Sequence, residues 1–253
     1  MKYFRRVYMD AKTVGVLGGL GPKATVDFMD KVIDKTPSSK DQDHVRMLVD
    51  NNPKIPDRTE AILNDSQSPL SYLEDMAKGL ENYGADFLVM PCNTAHYFYN
   101  DVQKTVNIPF VNMLQCTAQY INDVVESQNR KVGLLATNGT IRTKIYQQQL
   151  QEYNLEVIIP ESYQHQVTEA IYAVKSGDIC DSSRRLLDEP IGYLEDEGAE
   201  AIILGCTELP VLVTDKKADK AILVDPTDIL AAKTVSFALN KEEQNRPNHG
   251  NIS

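Results

Sequence analysis

Two cysteines stand in matching surroundings. Met90-Pro91-Cys92-Asn93-Thr94 recurs in altered form as Leu204-Gly205-Cys206-Thr207-Glu208. The lead-in recurs as well, with Leu80-Glu81-Asn82-Tyr83-Gly84-Ala85-Asp86 before the first copy and Leu194-Glu195-Asp196-Glu197-Gly198-Ala199-Glu200 before the second. Each copy reads as a helix end, a glycine cap, a short apolar strand, and a cysteine at the strand's carboxyl end where the next helix opens. A thiol placed there lies near free backbone N–H groups, which favour its anion and can also hold a carboxylate. One buried cysteine is ordinarily a packing residue. A pair repeated together with its flanking threonine has no packing reason to repeat, and two such thiols could act as base and acid on opposite faces of one carbon.

The elements that must position this pair are also duplicated. Thr13-Val14-Gly15-Val16-Leu17-Gly18 is a buried strand, and Gly19-Leu20-Gly21-Pro22-Lys23-Ala24-Thr25 opens a helix with proline where a first turn tolerates it. A second strand is expected at residues 45–49. The loop Asn51-Asn52-Pro53-Lys54-Ile55-Pro56-Asp57-Arg58-Thr59 follows at a strand's carboxyl end, where α/β ligand sites gather. Ile108-Pro109-Phe110-Val111-Asn112 reads as a further strand. Val132-Gly133 then repeats Val14-Gly15, Cys206 repeats Cys92 and Val224-Asp225 repeats Val111-Asn112, in the same order and at a nearly constant spacing of about 115 residues. Lys175, after a helix expected over residues 166–174, follows Arg58 at a similar spacing, which makes the two candidate facing cations.

Alternating strands and helices in duplicate predict an α/β fold of two similar parallel-sheet lobes, related by a pseudo-twofold axis, with the active site in the cleft between them. The first lobe is expected over residues 14–112 with the terminal helix 226–240, and the second over 113–225. Residues 241–253 are polar and read as a disordered tail.

Composition excludes several function classes. The chain of 253 residues carries 36 acidic against 26 basic residues, a net charge of -10, and no long basic run, which argues against nucleic acid as a partner. Its 42% hydrophobic content suits a packed core, and neither an export signal within residues 1–14 nor a membrane span is expected, so the cytoplasm is the expected location. Cys92, Cys116, Cys180 and Cys206 lack metal-type spacing and the four histidines are scattered, so neither a metal site nor structural disulfides are expected. Gly19-x-Gly21-x-x-Ala24 after a strand, with Asp50 beyond the next one, matches a dinucleotide fingerprint weakly.

Three segments together carry a resemblance. Val14-Gly15-Val16-Leu17-Gly18-Gly19-Leu20-Gly21-Pro22-Lys23-Ala24-Thr25, Pro91-Cys92-Asn93-Thr94-Ala95-His96 and Leu204-Gly205-Cys206-Thr207-Glu208-Leu209, with Pro56-Asp57-Arg58-Thr59 between the first two, resemble the aspartate/glutamate racemase family of two-cysteine, cofactor-independent enzymes. The likeness spans residues 14–239. Glu208, where glutamate racemases proper have histidine, and Gly18-Gly19, where they have an Asp-Ser turn, place it nearer the aspartate racemase branch.

The resemblance implies Cys92 and Cys206 as the acid/base pair, and Asn93, Thr94 and Thr207 as ligands of the substrate α-carboxylate. It implies Arg58 and Lys175 for an acidic side chain, with Thr137 lining the same cleft. It further implies aspartate or glutamate as substrate, neither pyridoxal phosphate nor metal, and a homodimer. Maleate isomerase and hydantoin racemase share the superfamily and stay open as alternatives, as does a non-catalytic amino-acid binding protein. His96, one turn beyond Cys92, could bond near the thiol or serve as a core or capping residue. A carboxylate at Glu208, if close, would raise the pKa of the Cys206 thiol.

Overall fold

The computed structural model describes residues 11–125, 130–213 and 218–239. The tail expected at 241–253 and the last residue of the expected terminal helix, 240, lie outside them.

Two separate parallel sheets form the frame. In the first, β1 (Val14–Gly18) is central, between β2 (Met47–Asn51) and β3 (Phe87–Val89). The second contains β4 (Lys131–Ala136), β5 (Glu156–Ile158), β6 (Ala201–Gly205) and β7 (Ile222–Val224), in the order β5-β4-β6-β7. β1 and β6 are buried throughout and uninterrupted in apolar or glycine residues, as strands covered on both faces require. Two expectations shift in detail. β2 lies two residues later than expected, and residues 108–112 make only an isolated bridge, Leu88 to Phe110, rather than a strand. Pro109 has no N–H to add to the ladder; its carbonyl accepts from Leu88 at 2.8 Å, while the equivalent segment in the second sheet pairs as β7.

In the first half the helices are α1 (Pro22–Lys35), α2 (Arg58–Leu63), α3 (Leu70–Asn82) and α4 (Tyr99–Gln103). α5 (Met113–Val124) leads into the second half, which carries α6 (Asn138–Thr143), α7 (Ile145–Gln151), α8 (Gln164–Ser176), α9 (Asp181–Arg185), α10 (Asp188–Asp196) and α11 (Leu209–Leu212). α8 extends the expected helix by two residues at each end. α12 (Pro226–Ala238) closes the described fold. One face of the first sheet packs on α3 and α4 through Leu73, Met76, Leu80 and Val102, and the other on α1 and α12 through Phe28, Val32, Leu230 and Val235. The second sheet is covered likewise by α8, α10 and α11 on one face and by α5 and α7 on the other. α12 leaves β7 and packs on α1 and α5, with Lys31–Asp225 at 2.9 Å and Lys35–Asp228 at 2.7 Å across the first contact.

The duplication extends to atomic contacts. A Cβ on Gly15 would lie 2.7 Å from Leu88 Cδ2 and 3.2 Å from Leu80 Cβ; one on Gly133 would lie 2.8 Å from Leu194 Cδ1 and 3.1 Å from Ile202 Cγ1. Glycine in the central strand thus lets the helix that leads into the cysteine strand, α3 or α10, lie directly against it. The next residue on each helix completes the clamp. Glu81 accepts the Asn107 and Ile108 N–H groups at 2.8 and 3.2 Å, and Glu195 accepts those of Lys220 and Ala221 at 2.7 and 3.0 Å. Gly84 and Gly198 both take the left-handed conformation expected of the helix caps, with φ of +100° and +88°.

Filling this contact must push the helix off its sheet. Gly133→Val is expected to lower unfolding free energy by about 1–3 kcal/mol, the usual cost of overpacking, whereas Gly192→Ala, where a Cβ would meet nothing within 4 Å, should not. Urea unfolding of both variants beside the parent checks this, and equal stabilities would remove the contact from its structural role.

Candidate active site

The carboxyl ends of β1, β3, β4 and β6 converge on one cleft of about 320 Å³ including its mouth. Every residue to which the family resemblance gives a catalytic or binding role lines it: Arg58, Cys92, Asn93, Thr94, Thr137, Lys175, Cys206 and Thr207. Leu20, Asp57, Thr59 and Glu208 complete the wall. The Gly19 turn beside it is shaped by chain contact. A Cβ there would stand 2.3 Å from the Asn52 carbonyl carbon, so the glycine motif is explained without a nucleotide. Among the described residues, no group of three or more His, Cys, Asp or Glu is arranged to hold a metal ion, and no helix is long and apolar enough to cross a membrane.

The two cysteines have unlike neighbours. The Cys206 thiol donates to Glu208 Oε2 at 2.9 Å, and the Thr207 hydroxyl donates to the same oxygen at 3.2 Å. Burial and, after it, the adjacent Glu208 carboxylate push the Cys206 thiol well above its ordinary pKa, against a smaller opposing pull from Lys175. Glu208 also spans the two halves. Its Oε1 lies 3.6 Å from where a Cβ on Gly21 would stand, at the residue that opens α1. A carboxylate is favoured at a helix amino terminus.

Cys92 is held through its backbone. His96, buried, donates through Nδ1 to the Cys92 carbonyl at 2.8 Å, and its Nε2 accepts the Met113 N–H at 3.1 Å. With Nε2 an acceptor, Nδ1 carries the proton and donates to Cys92. Burial lowers the His96 pKa to about 4, opposed only by that bond, so the ring is neutral near pH 7. The ring also stacks on Tyr99, centroids 5.9 Å apart. Of the two roles left open, His96 therefore takes the core one. It ties the cysteine turn to the start of α5 and makes no recorded bond to the thiol.

The cations are positioned differently. Asp57 caps α2 by accepting the Glu60 N–H at 3.0 Å, which places Arg58 in the first turn. The Arg58 guanidinium donates to the Leu20 carbonyl at 2.8 Å and to the Pro56 carbonyl at 3.2 Å, tying the β1 turn to the loop after β2. Its buried Nε has no hydrogen-bond partner among the described residues. Lys175 lies in the last turn of α8 at the rim. Partial burial pulls its pKa down, yet Cys206, Glu208 and Asp57 together raise it above the ordinary value, so it is charged.

Hydroxyls join the halves beneath the cleft. Thr94 lies 3.0 Å from the Thr137 hydroxyl and 2.9 Å from that of Thr140, and Thr137 donates to Thr140 at 3.1 Å. Thr137 also caps α6 through the Thr140 N–H. Asn93 Oδ1 accepts from the buried Tyr146 hydroxyl at 2.5 Å, while Asn93 Nδ2, also buried, has no partner among the described residues.

Known proteins share this fold. The family model of Asp/Glu/hydantoin racemases matches residues 17–234. The chain belongs to this family. The broad-specificity amino-acid racemase of Bacillus subtilis (strain 168) is 31% identical over 230 residues, which cover 89% of this chain and 98% of that protein. The solved aspartate racemase of Picrophilus torridus is 35% identical, with a TM-score of 0.79, 90% of this chain and 94% of that chain covered. An aspartate racemase homologue from Pyrococcus horikoshii OT3 is 26% identical, with a TM-score of 0.73, covering 90% and 99%. These are racemases by description, and the two-lobed α/β fold is theirs.

Within this racemase fold, sequence reasoning missed Thr140 and Tyr146 as partners of cleft residues. The spacing Thr137-x-x-Thr140 is a capping pattern that could have found the first. Tyr146 carries no local signal, because its partner lies 53 positions away.

His96 makes stability depend on pH. Its folded pKa lies below the ordinary 6.5, so the unfolded chain binds the proton more tightly; the contribution is whole above pH 6.5 and is lost as pH falls through about 4. Between pH 7 and 4, the parent should lose about 3 kcal/mol more unfolding free energy than His96→Gln. Urea titrations at both pH values measure the difference, and parallel losses would contradict it.

Proposed function

We propose that the protein is a pyridoxal-phosphate-independent racemase of an acidic amino acid, working by two bases, Cys92 and Cys206. The observation that carries this reading is the pair itself: thiols from equivalent strand ends of two half-folds lining one cleft, one of them beside a carboxylate that keeps it protonated. Deprotonated Cys92 takes the α-proton, which becomes its S–H proton, and the electron pair stays on the α-carbon, delocalised into the α-carboxylate. Cys206 gives its proton to the opposite face and becomes the thiolate. The enzyme then stands ready for the other enantiomer with roles exchanged. Neither metal nor cofactor enters any step.

Asn93, Thr94 and Thr207 are assigned to the α-carboxylate, with Thr137 beside them, and Arg58 and Lys175 to the side-chain carboxylate. A chain of net charge -10 needs local cations to bind a dianionic substrate, and these two line the cleft. The solved relative named an aspartate racemase favours aspartate. A broader range is the second reading, supported by the Bacillus subtilis relative. Two of the five Arg58 N–H donors serve backbone carbonyls, and three remain for a carboxylate. A cytoplasmic homodimer is proposed on the family resemblance.

Exchange of the α-proton in deuterated buffer tests the reaction directly. L- and D-aspartate should exchange and racemise after dialysis against chelator and hydroxylamine. Cys92→Ala and Cys206→Ala should each reduce racemisation of both enantiomers by about 10²–10⁴-fold, the range general acid–base groups supply. A variant that racemises at the parent's rate would end the two-base assignment.

Glu208 gives a separate pH signature. A neighbouring negative charge raises a thiol pKa, so Glu208→Gln should lower that of Cys206. The alkaline limb of the kcat/KM profile, where Cys206 loses its proton, should move to lower pH in the variant. An unmoved limb would detach Glu208 from Cys206.

A further inference from the structure

We infer that Tyr146 is a positioning residue for substrate binding, acting through Asn93 from the opposite half of the molecule. The inference deepens the racemase reading and rests on it, since it assigns Asn93 Nδ2 to the substrate α-carboxylate.

Tyr146 belongs to α7, in the second half, and is fully buried. It does not line the cleft. Its hydroxyl reaches Asn93 Oδ1 at 2.5 Å, across 53 positions of sequence. Burial pushes its pKa up, so the phenol keeps its proton and is a donor. With the phenol's proton on Oδ1, the Asn93 amide has its oxygen turned to Tyr146 and its NH₂ turned away from it.

Asn93 itself is 2% exposed and lines the cleft beside Cys92. Its Nδ2 is the buried donor left without a partner among the described residues. Buried amide groups are ordinarily satisfied, and an orphan at a cleft wall is a donor awaiting an acceptor. A carboxylate oxygen fits that need, and the Cys92 and Cys206 thiols beside it mark where the α-carbon would stand. Without the phenol the amide could rotate, presenting Oδ1 to the same carboxylate and repelling it.

The alternative is that Tyr146 only fills space behind α7. The two roles differ in how Tyr146→Phe combines with Asn93→Ala. The α-carboxylate contact is already made in the ground state, so its loss appears in substrate Kd and in KM. Tyr146→Phe should raise KM for both L- and D-aspartate about tenfold, the scale of one hydrogen bond to a charged group. In the Asn93→Ala background the same change should leave KM unaltered, because the residue it acts through is gone.

The experiment is this double-mutant cycle, read as KM for both enantiomers and as aspartate Kd by calorimetry, with thermal unfolding of each variant alongside. Additive effects of the two substitutions, or an unchanged KM and Kd in Tyr146→Phe, would overturn the positioning role while leaving the racemase reading in place. A parent protein that neither exchanges nor binds aspartate would overturn both. A non-additive cycle in variants that unfold at the parent's temperature establishes it.

Discussion

The close approach of a helix to a glycine in the central strand, made twice, is the contact on which the arrangement depends. Leu80 over Gly15 and Leu194 over Gly133 bring α3 and α10 against their sheets with no side chain between. Because each helix runs through a left-handed glycine straight into the strand that ends at a cysteine, its depth sets where that strand lies. Glu81 and Glu195 then hold the returning segment by two backbone N–H groups each. Adding even one methyl at either glycine would shift a helix, a strand and a thiol together, and interiors packed this densely transmit such shifts.

On this symmetric frame the site itself is asymmetric. Cys206 is followed by a carboxylate that accepts a hydrogen bond from its thiol, and Cys92 by a neutral histidine that holds its carbonyl. The residue after each cysteine differs too: Asn93 turns its oxygen to a buried phenol, whereas Thr207 donates to Glu208. The proposed two-base reaction needs one thiol charged and one neutral at the start of each turn. The carboxylate beside Cys206 favours that thiol as the neutral one, and the repeated strands keep both sulfurs on one cleft.

Contacts across the cleft floor make the halves one unit. The hydroxyls of Thr94, Thr137 and Thr140 lie within hydrogen-bond distance of one another, α6 packs so closely on α2 that a Cβ on Gly139 would be 3.0 Å from Thr59 Oγ1, and α12 ties β7 back to α1. Arg58 belongs to this scheme as well as to the proposed binding. Arg58 joins two loops of the first half through backbone carbonyls, so replacing it would remove a strut along with a charge.

The sequence alone determined the fold class, the duplication, the two cysteine turns and the glycine caps that introduce them. Each is a local pattern of a few neighbouring residues, and repetition at a constant spacing raised every weak signal. It also brought Arg58, Thr137 and Lys175 into consideration, through strand-end position, resemblance and spacing. It could not show that residues 108–112 would stay a bridge, because the missing Pro109 donor weakens a ladder without forbidding it. Only the tertiary structure decided what each polar atom bonds. That His96 grips a backbone carbonyl instead of a thiol, that Glu208 reaches the mouth of α1, and that Tyr146 holds Asn93 are contacts between segments distant in sequence. Hydrogen bonds depend on distance and angle within fractions of an ångström, and those are set by how the layers pack, for which no local pattern of residues is a guide.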